Sequence, residues 1–163
     1  IMVNSYIQKI SNDDIELVIE VFKYCEEKNL KIFIDGSYGT NKMLEYNNLR
    51  LMCFASEKIK KVPIVIIHSG GLNIKKVMLL ALENSNIFLE TSFSLPFYID
   101  SSIENDFAFA LKKIGIDRAF YGSDSPYLDP MKAFESHLNF LIKYKFSSTE
   151  IDKFFYQNAL KFF

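Results

Sequence analysis

The chain has 163 residues, 19 Lys and Arg against 20 Asp and Glu, a net charge of -1, and 49% hydrophobic residues. That balance describes one domain (1–163) able to bury a core. It also argues against a nucleic-acid binder, because the lysine clusters (Lys58, Lys60, Lys61; Lys75, Lys76; Lys112, Lys113) fall inside helical patterns as short solvated faces. No run approaches the roughly 18 apolar residues of a membrane helix and no signal-peptide pattern opens the chain, so no membrane partner is expected and the cytoplasm is the expected compartment.

The opening stretch IMVNSYI is strand-like and has no polar lead, as though the chain begins within a larger unit. SNDDIELVIEVFKYCEEKN follows, with Ile15, Val18, Ile19, Phe22 and Cys25 at helical spacing and Ser11 and Asp14 placed as a capping box. LKIFIDGS reads as a strand ending at Asp35 and Gly36. A helix is expected over about Asn41 to Lys61, burying Leu44, Leu51, Phe54 and Ala55 and stopped by Pro63. PIVIIHSGG carries four consecutive aliphatics, the pattern of a strand covered on both faces, and ends at His68 before Gly70 and Gly71.

A helix from Asn73 to Glu83, the strand NIFLETS, a loop through Pro96, and a helix from Asp100 or Ser101 to Gly115 come next. DRAFYGSDSP is the last strand, and two helices close the chain, the second started by Ser147 with Glu150 three residues on. His137, inside FESHLNFL, reads as a surface or half-buried helix residue, and Cys25 and Cys53 read as small buried apolar residues. Strand and helix alternate throughout, which defines an α/β protein of parallel βα units.

In such folds functional groups gather at the carboxyl ends of the strands. Four strands here end in polar residues: Asp35, His68, Glu90 with Thr91 and Ser92, and Asp124. Asp124 alone would read as a turn or helix cap, and Asp35 before Gly36 as an ordinary turn pair; the shared strand-end position favours a site for Asp35, His68 and Asp124. Glu90 is left aside as a residue that hydrogen-bonds a neighbour. Gly122 is read as permitting a sharp turn and Ser123 as holding the loop. Gly70 and Gly71 fit either a phosphate cradle or, more simply, packing against the next helix.

VIIHSGGL, NIFLETS, GIDRAFYGSDSPY and QNALKFF resemble, in order and spacing, the later half of the amidohydrolase-2 branch of the metal-dependent hydrolases. The resemblance runs from about Asp13 to the end of the chain. It implies a partial (β/α)8 TIM-type barrel of strands four to eight, with His68 ending strand six and Asp124 ending strand eight. Asp35 stands where the family usually has its strand-five histidine, and the His-x-His pair of strand one is absent.

The resemblance also implies a divalent metal, zinc first, with Asp124 and Asp35 as candidate ligands, and a small-molecule substrate handled by Ser123 and Gly70. Hydrolysis of a C–N or C–O bond would follow, with Asp124 taking a proton from water and His68 stabilising the developing charge. A metal-independent lactonase-like enzyme and a non-catalytic half barrel are the alternatives. The open strand edges and an inner face assigned to Ile32, Ile34, Ile66 and Leu89 lead to an expectation of self-association as a homo-oligomer.

Overall fold

The computed structural model describes residues 1–37 and 41–162. Five parallel strands form one sheet in chain order: β1 (Met2–Val3), β2 (Ile32–Asp35), β3 (Ile64–Ile67), β4 (Ile87–Glu90) and β5 (Ala119–Phe120). Each is short and rich in β-branched or aromatic residues, and each is followed by helix, so that only parallel neighbours can pair. The registers place Phe33 beside Val65, Val65 beside Phe88, Asp35 beside Ile67, and Glu90 beside Phe120. The parallel pairing is what the alternation predicts, and the arrangement is that of a partial (β/α)8 barrel, as the resemblance implies.

The main helices are α1 (Ile15–Glu27), α2 (Asn48–Lys58), α3 (Ile74–Glu83), α4 (Ser94–Phe97), α5 (Ser102–Ile114) and α6 (Pro130–Lys143). The chain then runs through α7 (Ser148–Asp152), a π-helical turn (Lys153–Gln157) and α8 (Asn158–Phe162). α1 buries Ile15, Ile19, Phe22 and Cys25, the stripe its spacing predicts. Ser147 and Glu150 form both arms of the capping box that starts α7. The Ser11–Asp14 pair works differently: Ser11 donates to the Asp14 carboxylate from its N–H and its hydroxyl, and the helix begins only at Ile15.

Five expectations are corrected. α2 starts at Asn48, where Asn47 caps the helix by accepting from the Arg50 N–H, so Leu44 precedes the helix and is exposed. The strand-like opening forms only a two-residue strand before the chain turns back at Ile10, whose N–H donates to the Ser5 carbonyl. Cys53 is exposed, since α2 turns Leu51, Met52 and Ala55 inward instead.

His137 is fully buried, because α6 packs its face against the end of β4, and its ring lies between the Ala133 carbonyl and Thr91. Finally, Ile32, Ile34, Ile66 and Leu89 face the helices and join α1, α2 and α5 in the main core. The opposite face carries Phe33, Val65, Phe88 and Phe120, covered by Phe162 of α8. Alternation along the strands makes the assignment a matter of one residue, and a one-residue slip exchanges the two faces.

Candidate active site at the carboxyl ends of the strands

Because Asp35 and Glu90 are each two residues beyond an inner-face phenylalanine, both project from that inner face at its carboxyl end. The loops after β2 and β3 meet there backbone to backbone. A Cβ on Gly36 would lie 2.6 Å from the Gly70 nitrogen and 2.7 Å from the Ile67 carbonyl oxygen, so only glycine fits at position 36. Gly70 has φ +79°, and a Cβ there would collide with Val77 of α3. Gly70 is therefore a packing residue that lets α3 close on the loop.

That contact brings Asp35 and His68 together. Both are buried, and Asp35 Oδ2 lies 3.8 Å from His68 Nε2. Asp35 also accepts from Asn4 Nδ2 on Oδ2 at 2.8 Å and from the Ser37 N–H on Oδ1 at 2.7 Å. His68 Nδ1 lies 2.9 Å from the Ser92 carbonyl oxygen and 3.1 Å from Ser92 Oγ. A carbonyl can only accept, so this contact favours the hydrogen on Nδ1 and leaves Nε2 as the ring atom for exchange with a substrate.

Glu90, set aside on sequence, lies beneath this histidine. Its Oε1 accepts from the Ser92 N–H at 2.7 Å, and its Oε2 from Ser92 Oγ at 2.8 Å and from the His68 N–H at 3.3 Å. Part of the residue meets solvent, but the protein around the carboxyl group desolvates it and pushes its pKa up, against the Ser92 hydrogen bonds and the nearby imidazole. The available signal was a carboxylate closing an apolar strand on the same face as Phe88. Ser92 and Asn4, both missed, act through these bonds.

β5 ends at Phe120, so the expected last strand is only two residues long, and Asp124 lies in the loop four residues beyond it, half-buried at φ +57°, with its carbonyl accepting from the Tyr127 and Leu128 N–H groups. Ser123 Oγ accepts from the Ser125 N–H at 3.3 Å, which holds the loop as expected. His68, Ser69 and Phe93 share with Asp124 a left-handed backbone, a conformation that non-glycine residues adopt at some cost and that concentrates at functional sites. Phe93 sets its ring edge-on to His68 at 6.0 Å and stacks on the exposed Phe97 at 5.3 Å. Tyr38, Gly39 and Thr40, which follow β2 in the chain, lie outside the described residues.

Among the described residues, no group of three or more His, Cys, Asp or Glu side chains is close enough together to hold a metal ion. Asp35 and His68 offer two donors, and both Asp35 oxygens already accept hydrogen bonds. A protein zinc site commonly needs three side-chain ligands, so these residues alone do not fit one.

Parallel βα units with polar groups collected at the carboxyl ends of the strands are the layout of a TIM-type barrel. The chain belongs to the amidohydrolase family, whose model matches residues 4–163. No curated protein matches the sequence. Among solved structures it is similar to an uncharacterised TIM-barrel protein of Bordetella bronchiseptica (TM-score 0.72, 14% identity, covering 89% of this chain and 49% of that one). It is also similar to a 2,6-dihydroxybenzoate decarboxylase from Rhizobium (0.58, 14%, 88% and 54%). A dihydroxybenzoic acid decarboxylase from Polaromonas sp. JS666, solved with bound manganese and 2-nitroresorcinol, is a third (0.59, 16%, 88% and 52%). The chain thus spans about half the length of these structures. No helix among the described residues is long and apolar enough to cross a membrane.

Proposed function

We propose that the chain carries the acid–base half of an amidohydrolase-type active site that hydrolyses a C–N or C–O bond of a small polar molecule. The observation behind this reading is the buried Asp35–His68 pair with Nδ1 committed to Ser92. A proton taken up on Nε2 makes an imidazolium beside the Asp35 carboxylate, and that N–H points charge at a substrate carbonyl oxygen as it becomes negative. Asp124 accepts the proton of the attacking water and returns it to the leaving nitrogen or oxygen as the bond breaks. Family membership and the strand-end positions of Asp35 and His68 support this reading, and Asp124 joins it from the loop after β5.

A second reading, decarboxylation of an aromatic acid, is favoured by the exposed Phe93–Phe97 stack beside His68, a surface suited to a flat ring. There the ring carbon takes a proton from Nε2–H of the imidazolium, the C–C bond to the carboxylate breaks with its electron pair returning to the ring, CO2 leaves, and Nε2 regains its proton from water. The test is turnover by the full chain of matched panels of lactones, N-acyl compounds and hydroxylated aryl acids, with and without added divalent metal. Hydrolysis of the first two panels, lowered at least about 100-fold by His68→Gln and by Asp124→Asn, is the expected result. CO2 release from the aryl acids alone would select the second reading. Turnover unaffected by either substitution would overturn both.

A further inference from the structure

The ring of His68 has two orientational problems: which nitrogen carries the hydrogen in the neutral state, and what keeps it there. The Ser92 carbonyl oxygen, 2.9 Å from Nδ1, favours a hydrogen on that nitrogen. The Ser92 hydroxyl, 3.1 Å away, can act either way, because a hydroxyl rotates. If it donates to Nδ1, the hydrogen must move to Nε2. If it points elsewhere, its lone pairs join the carbonyl as a second acceptor for Nδ1–H.

We propose that Glu90 is the positioning residue of His68, acting through Ser92. The Glu90 carboxylate accepts the Ser92 hydroxyl hydrogen at 2.8 Å and the Ser92 N–H at 2.7 Å, one on each oxygen, so the hydroxyl rotor is fixed with its lone pairs toward the ring. The same Oε2 accepts the His68 N–H at 3.3 Å, which fixes the backbone at a residue held at φ +58°. The hydroxyl of Ser69 donates to the Glu90 carbonyl at 2.8 Å, anchoring the loop to the same strand end. Gly122 completes the device, since a Cβ there would overlap Glu90 Oε1. With φ outside the left-handed region, Gly122 is glycine for space and not for a turn. The outcome is that, when the imidazole is neutral, its Nε2 lone pair is the one presented on the Asp35 side.

This inference rests on the reading of His68 as the proton-exchanging group, but its test does not need turnover. Nitrogen chemical shifts of the 15N-labelled His68 ring report the ratio of the two neutral tautomers in the full-length chain. Wild type should hold the hydrogen on Nδ1. Glu90→Gln should shift the ratio toward Nε2–H by about three- to ten-fold, the worth of one net hydrogen bond. In a Ser92→Ala background the same substitution should change it by less than about two-fold, because the link is already cut. Gly122→Ala, which displaces the carboxylate while keeping every hydrogen-bonding group, should move the ratio in the same direction as Glu90→Gln and serves if that variant does not fold. An unchanged ratio in either folded variant, or an equal shift with and without Ser92, would overturn the proposal. An inactive chain with the expected tautomer pattern would instead sink only the functional reading.

Discussion

His137 and His68 are the only histidines, and their surroundings give them opposite roles. His68 lies beside Asp35 at the carboxyl ends of the strands, whereas His137 is sealed between α6 and Thr91, where burial pushes its pKa down despite the Ala133 and Thr91 contacts. A base with a lowered folded pKa is bound as the neutral form. Its contribution to stability is complete above the unfolded value near 6.5 and is lost as pH falls from there toward the folded value. Denaturant titrations should show stability falling below about pH 6.5 by up to about 1.4 kcal/mol per pH unit from this one group, and His137→Gln should flatten that slope. Glu90 works in the opposite sense, its raised pKa favouring the folded state as it is protonated. Strand-end position made Asp35 and His68 visible in the sequence. Glu90 was not, because its role depends on Ser92 turning back across the strand end and on an empty volume at Gly122, and neither spacing nor residue type encodes that.

Helices and strands were legible where periodicity had a physical cause. The four aliphatics Ile64–Ile67 are packed on both sides, by the helices and by Phe162, as an unbroken apolar run requires. The early start expected for α2 failed because Leu44 fits a helical stripe yet Asn47 supplies the cap. Two side chains join elements that sequence could not connect. Arg118 donates to the carbonyls of Ala81, Asn84 and Ile114, closing the exposed ends of α3 and α5, and its burial lowers its pKa. Asn158 donates to Ile116 at 2.6 Å and to Ala119 at 2.9 Å, fastening α8 to β5. Asn158→Ala should cost about 2 kcal/mol in chemical denaturation, since it removes the donor from two buried carbonyls, and Arg118→Met about 1 kcal/mol, since its acceptors are only part-buried. Ser147→Ala, losing only a solvent-exposed cap, should cost about 1 kcal/mol.

Across the molecule the sheet divides two environments, helices outside and an aromatic layer inside. Phe162 makes that layer continuous, 4.8 Å from Phe120, 5.0 Å from Phe88 and 6.4 Å from Phe33 between ring centroids. Phe162→Ala should therefore cost about 3 to 5 kcal/mol and open an apolar face beneath the site. Sedimentation should then detect a larger self-associated fraction than in wild type, and an unchanged monomer fraction would show that α8 is not what protects the sheet.

The same contact bears on the order in which the protein can be completed during synthesis. β2 leaves the ribosome long before α8 exists, so Phe33, Phe88 and Phe120 emerge one after another onto a sheet face whose cover has not yet been translated. A nascent chain stalled before Asn158 should bind chaperones that recognise aromatic surface, and one stalled far enough beyond Phe162 to free α8 from the exit tunnel should release them.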